Sequence, residues 1–131
     1  MENQAMKIVS RFVTAVQQGD QETIADLLHP EIQWHQPGKN RFSGTKNSSN
    51  EVFQMVGGMF EISENTFALT DIKFLGLNGD TVASVLHFKA SRPNAVLDVD
   101  NIDVYKVKDG KIVSATIYSD DIDQENSFWG N

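Results

Sequence analysis

Apolar residues at Ala5, Met6, Ile8, Val9, Phe12, Val13, Ala15 and Val16 recur at three- and four-residue steps, which predicts an amphipathic helix over residues 4–18. Gly19 suits its C-cap, and Asp20 can cap a second helix carrying Ile24, Ala25, Leu27 and Leu28 and stopped by Pro30. The connection is short enough to fold the two helices back on each other. Ser48-Ser49-Asn50-Glu51 reads as a capping box opening a third helix with Val52, Phe53, Met55, Val56, Met59, Phe60 and Ile62. Gly57-Gly58 in its middle marks a close-packing point or a kink, since each glycine costs about 1 kcal/mol against alanine.

Beyond residue 65 the pattern turns to alternation. Strands are predicted over 66–77, 81–91, 95–108 and 111–119, joined by turns at Asn78-Gly79-Asp80, Arg92-Pro93-Asn94 and Lys108-Asp109-Gly110. Four strands joined by short turns make an antiparallel meander. One earlier stretch, Ile32-Gln33-Trp34-His35-Gln36-Pro37-Gly38, reads as a short strand running into a Pro-Gly turn, followed by the glycine-ended loop Phe42-Ser43-Gly44. The order predicts an α+β fold: a curved antiparallel sheet wrapped around three helices, with a hollow between them. Val82, Leu86 and Phe88 share one parity, and Ala83 and Val85 the other, so both faces of the sheet should be covered. A second copy over the outer face, giving a homodimer through the sheet, would do this.

The chain has 131 residues, enough for a single domain with one core. Its net charge of −7 argues against a nucleic-acid or anionic-membrane partner, both of which call for a basic surface. Cysteine is absent, which removes disulfides, thiol catalysis and thiolate metal sites. The start, Met1-Glu2-Asn3-Gln4, has no basic segment followed by an apolar run, and no apolar run approaches the ~18 residues of a membrane span, so a cytoplasmic protein is expected. His29, His35 and His87 are scattered and match no metal-binding spacing, so neither metal nor other cofactor is expected. The acidic run Asp120-Asp121-Ile122-Asp123-Gln124-Glu125 reads as a solvated segment, with Phe128-Trp129 after it free to fold over the pocket mouth or pack on a partner.

The order of elements, with Trp34-His35-Gln36-Pro37-Gly38, Phe42-Ser43-Gly44, Arg92-Pro93, Asp103-Val104-Tyr105 and Asp109-Gly110-Lys111-Ile112, resembles the SnoaL-like and ketosteroid-isomerase-like branch of the nuclear transport factor 2 superfamily. The resemblance covers roughly the whole chain and implies a cone-shaped α+β barrel around an apolar pocket. It also implies a base just before the Pro-Gly turn, matched here by His35, and an oxyanion-hole carboxyl, matched by Asp103 in Ile102-Asp103-Val104-Tyr105. The family tyrosine on the first helix is replaced by Phe12 after Arg11, which argues against steroid isomerisation. An epoxide hydrolase would need an aspartate near Ile117, which is apolar. Phe12, Met55, Val113, Ala115, Ile117 and Ser119 match pocket-lining positions of the family, with ordinary core as the alternative for each.

Two chemistries follow for these residues. An imidazole can exchange a proton near neutral pH, so His35 could remove a proton beside a carbonyl; the alternative is a histidine that only hydrogen-bonds a ligand or its neighbouring turn. Asp103 shares its strand face with Asn101 and Tyr105. If that face lines the hollow, desolvation raises its pKa and a neutral carboxyl can donate to a developing oxyanion; otherwise it is one more exposed strand carboxylate. Tyr105 stands in for the missing hydroxyl or is simply core, and Trp34, of opposite parity to His35, packs near the pocket rim. The expectation is a protein that takes a small hydrophobic carbonyl compound, with isomerase- or cyclase-like proton transfer by His35 and Asp103. The alternatives are a non-catalytic ligand-binding or protein-interaction module of the same fold, and an assembly role through the sheet.

Overall fold

A computed structural model describes residues 3–131, so Met1 and Glu2, part of the N-terminal reading, lie outside the described residues. The order is α1 (Gln4–Gln18), α2 (Gln21–Leu27), β1 (Leu28–Gln36), β2 (Gly44–Lys46), α3 (Ser49–Ile62), β3 (Ala68–Asn78), β4 (Thr81–Arg92), β5 (Ala95–Lys108), β6 (Lys111–Ser119) and α4 (Ile122–Trp129). The six strands form one curved, unclosed sheet in the order β2-β1-β6-β5-β4-β3, and with the helices it makes a cone-shaped α+β fold.

Asn3 caps α1 by accepting from the Ala5 and Met6 amides, and Gly19 ends it in the left-handed region at φ 69°. The apolar stripe of α1 is buried inside the sheet, where Val9, Phe12 and Val13 join one core with Leu86, Leu97, Tyr105 and Ile117. Each fully buried side chain of this kind contributes about 1.5–3 kcal/mol.

Three expectations need correction. The sheet is mixed rather than antiparallel, because β1 runs parallel to β6, with Trp34 opposite Ala115. Helix α2 stops at Leu27, and Leu28, fully buried, already pairs with Ile112. Pro30 does not end the helix; it sits exposed where the β1–β6 ladder shifts register between Leu28 and Gln33, a place where its missing N–H leaves no ladder bond unmade. Finally, there are four helices among the described residues, not three: the acidic run is not a solvated segment but a helix capped by Asp121. Ile122, Glu125 and Phe128-Trp129 recur on one face at helical spacing, and Glu125, Phe128 and Trp129 are buried.

Strand alternation sorts the sheet into two faces. Inward on β5 stand Leu97, Val99, Asn101, Asp103, Tyr105 and Val107, all buried. Outward, Phe74, Val85, Ile102 and Tyr118 face one another across β3, β4, β5 and β6. Of these, Phe74 and Tyr118 are more than half exposed. His87 also stands on this outer face, between the carboxylates of Asp98 and Asp100.

Helix α3 is continuous through Gly57-Gly58, and the two glycines differ. A Cβ at Gly58 would lie 2.7 Å from Cε1 of Phe42, whose ring meets Trp129 edge-on at 5.4 Å, whereas a Cβ at Gly57 would meet nothing within 4 Å. Gly57→Ala is therefore expected to stabilise the fold by about 0.5–1 kcal/mol through helix propensity. Gly58→Ala should destabilise it relative to that variant by displacing the Phe42 ring. Urea unfolding of the two variants measures both effects, and equal shifts would contradict the close-packing role of Gly58.

Candidate functional site

The curved sheet, α1 and α3 enclose an apolar cavity of about 380 Å³. Its polar wall is built by β5, where Asn101, Asp103 and Tyr105 point inward at successive alternate positions. Phe12 of α1 and Trp34 of β1 pack on Tyr105 with ring centroids 5.4 and 6.2 Å away. Phe67 and Trp129 line the other side, their rings edge-on at 5.5 Å. Gly19, Gln21 and Gly57 of α3 are exposed members of the lining.

Asp103 is buried, and Tyr105 donates its hydroxyl to Asp103 Oδ2 at 2.7 Å. Among the described residues, Asp103 Oδ1 has no hydrogen-bond partner. Burial pushes the Asp103 carboxyl up to about 7, with the nearby Glu125 carboxylate adding to the rise and the Tyr105 hydrogen bond opposing it. Burial, and the carboxylate beside it, hold the Tyr105 hydroxyl well above the ordinary phenol range. Near neutral pH a large share of Asp103 is therefore a carboxylic acid. With Oδ2 taken by Tyr105, Oδ1 is the oxygen free to carry the proton and donate it.

A second buried carboxyl stands beside the first. Glu125, on α4, lines the cavity and accepts a hydrogen bond from Asn101 Nδ2 at 3.0 Å. Burial raises its pKa, and the Asn101 hydrogen bond opposes the rise. Helix α4 is held in place by the Pro37-Gly38 turn, since Asn126 Oδ1 accepts from the Lys39 amide at 2.7 Å. A Cβ at Gly38 would lie 2.5 Å from the same oxygen, so the turn needs glycine for this contact as well as for its φ of 95°.

The site residues expected from the sequence divide. Phe12, Trp34, Met55, Asp103, Tyr105 and Ile117 line the cavity. Ala115 does not; it is buried in the sheet between Trp34 and Tyr105. Val113 and Ser119 also stand outside the wall. The main correction concerns His35. It is half-exposed on the outer face, between Thr116 and Thr45, and shares a 2.9 Å hydrogen bond with the Thr45 hydroxyl. It is absent from the cavity wall, so the expected facing of His35 and Asp103 does not occur.

The reason is the two-residue period of β1: Trp34 points inward, so His35 points outward and Gln36 inward again. Gln36, the residue directly before Pro37, takes the position the histidine was expected to fill, and its Oε1 accepts from Trp34 Nε1 at 2.9 Å. A carboxamide does not serve as a base near neutral pH. The sequence carried a signal for this, because Trp34 at the opposite parity is the apolar member of the pair. Glu125 was missed because the charge of its run concealed the helical period.

The Asp103 shift has a consequence for stability. The unfolded carboxyl loses its proton near pH 4 and the folded one near pH 7, so the folded state holds the extra proton between those values. Stability should therefore fall as pH rises from about 4 to about 7 and level off above, by at most roughly 4 kcal/mol from this group. Asp103→Asn keeps an acceptor for Tyr105 and cannot ionise. It is expected to be more stable than the parent by ~1–3 kcal/mol at pH 8, with the difference shrinking towards pH 5. Chemical denaturation across this range checks it, and a pH-independent difference would contradict the buried ionisation.

The comparisons with known proteins agree with this architecture. A protein of unknown function with a cystatin-like fold from Xanthomonas campestris superposes with a TM-score of 0.93 at 36% identity, over 97% of this chain and 98% of that one. An uncharacterised protein of Mycobacterium tuberculosis (strain ATCC 25618 / H37Rv) is 24% identical over 124 residues, 95% of each chain. IdmH, a putative polyketide cyclase from Streptomyces antibioticus, shares the fold at a TM-score of 0.75 and 19% identity, over 92% of this chain and 94% of that one. The model of the SnoaL-like domain matches residues 9–115, and the chain belongs to that family.

Proposed function

We propose that the cavity binds a small hydrophobic molecule bearing a carbonyl group, and that Asp103 handles the carbonyl oxygen in an isomerase- or cyclase-like proton transfer. One observation carries the reading: a buried carboxyl on the cavity wall, with Oδ2 held by Tyr105 and Oδ1 unpartnered. An uncompensated buried polar atom of this kind costs about 1–3 kcal/mol, and a ligand oxygen facing it recovers that cost. The apolar walls and the volume suit a compact ring system. Among the described residues no Lys, Arg or His lines the cavity, which disfavours an anionic ligand. The likeness to IdmH is consistent with cyclase-like chemistry. His35 has no part in this reading.

A second reading is a non-catalytic ligand-binding module. It is favoured by Gln36, which places an amide where a base was expected, and by Phe12, which offers no second donor. In either reading the protein works as a cytoplasmic homodimer paired through the outer sheet face, where Phe74, Val85, Ile102 and Tyr118 form an unbroken apolar row.

Thermal-shift and calorimetric titration with 2-tetralone, a bicyclic ketone, tests the site. Binding is expected for the parent, weaker by ~10–100-fold for Asp103→Leu, which removes the donor, and unchanged for His35→Ala. Equal affinity of the parent and Asp103→Leu would refute the role given to Asp103. Turnover of a stabilising ketone would rule out the module reading. For the outer face, Ile102→Lys is expected to convert a dimer into a monomer in sedimentation velocity. A parent that sediments as a monomer would overturn the pairing.

A further inference from the structure

We infer that Glu125, carried onto the cavity wall by α4, is the proton-accepting partner of Asp103, so that the two carboxyls work as a base and a donor on either side of a ligand's carbonyl unit. This rests on the reading of Asp103 given above. The placement is geometric. Asn101 and Asp103 stand two residues apart on the inner face of β5, a separation of about 7 Å along a strand. Asn101 Nδ2 holds Glu125 Oε2 at 3.0 Å, which sets the second carboxyl over the neighbouring inward position. Both carboxyls line the same cavity. In this arrangement a ketone would meet the donor at its oxygen and the base at its α-carbon, each at a contact of about 2.6–3.2 Å.

The need for such a group follows from the wall itself. His35 faces outward, Gln36 is an amide, and Tyr105 is committed to Asp103. Among the described lining residues, Asp103 and Glu125 are the carboxyls left to exchange a proton. Burial raises the Glu125 pKa and so strengthens it as a base, while the Asn101 bond favours its anion. A helix built only to cover an apolar cavity would present an apolar side chain here. Phe128 and Trp129 already do so one turn further on.

The step balances within the ligand and two side chains. A carbon-bound hydrogen beside the carbonyl leaves as a proton to a Glu125 oxygen. The C–H electron pair forms the C=C bond of the enolate, and the carbonyl π pair moves onto oxygen. That oxygen is held by the Asp103 Oδ1 proton. Return of the proton from Glu125 to the same carbon gives exchange, and to a conjugated carbon gives isomerisation. Nothing is oxidised or reduced.

The test follows α-hydrogen exchange of 2-tetralone in D2O by proton NMR, beside calorimetric binding of the same ketone. Glu125→Gln keeps an oxygen to accept from Asn101, so docking of α4 is retained. It is expected to bind the ketone within about three-fold of the parent and to exchange it ~100-fold or more slowly. Glu125→Asp keeps a carboxyl on a shorter arm and should recover part of the exchange. Parent-like exchange in Glu125→Gln, with binding intact, overturns the role of Glu125 and leaves the Asp103 reading standing. Equal loss in the Gln and Asp variants also overturns it, because a positional effect would then explain both. If Asp103→Leu binds the ketone as well as the parent, the underlying reading fails, and this inference fails with it.

Discussion

A carboxyl group inside an apolar shell is the constraint around which this molecule is arranged. Asp103 is buried on the concave face of the sheet, and solvation lost there must be replaced or the group must stay neutral. Tyr105 supplies one hydrogen bond from the next inward position of the same strand, and nothing supplies the other. The outcome is a carboxyl on the cavity wall whose pKa burial pushes up to about 7, with one oxygen unsatisfied among the described residues. Groups in this condition are found where a fold forgoes stability for binding or chemistry. The surrounding rings of Phe12, Trp34 and Tyr105 keep the polarity of the wall low enough to maintain it.

Maintaining that environment depends on the C-terminal helix. Helix α4 brings Phe128 and Trp129 into the core and Glu125 into the cavity wall. It is fastened at distant points of the chain: Asn101 in the middle of β5, the turn after β1 through Asn126, and Arg92 at the end of β4, which donates to the Phe128 carbonyl at 2.9 Å. The Arg41 amide adds a bond to the Gly130 carbonyl at 2.7 Å. The Pro37-Gly38 turn therefore serves the site by holding α4, rather than by presenting a histidine. Phe42 extends the same contact to α3, resting against the bare backbone of Gly58.

The sheet has two apolar faces with different consequences. The concave face is closed by helices and becomes cavity and core. The convex face keeps Phe74, Ile102 and Tyr118 in contact with water. Such a row beside the clustered charges of His87, Asp98, Asp100 and Lys73 is a surface with both an apolar centre and a polar border, the arrangement found where two proteins meet.

The sequence alone determined the periodic elements. Helix α1 and strands β5 and β6 lie where periodicity and turn chemistry place them, because caps, glycine turns and alternation are local properties. Parity along β5 likewise put Asp103, Asn101 and Tyr105 on one face, since both ladders of β5 run without a register shift through these positions. What remained for the tertiary structure is what depends on partners remote in sequence. The parallel pairing of β1 with β6 decided where α2 ends and which residues of β1 turn inward. That choice moved His35 out of the site and Gln36 into it, since a shift of one residue reverses every side chain of a strand. Burial of Glu125 was equally beyond local reading. Its helix is stable only because Phe128 and Trp129 find a cavity to close, and a cavity exists only once the sheet has curved around α1.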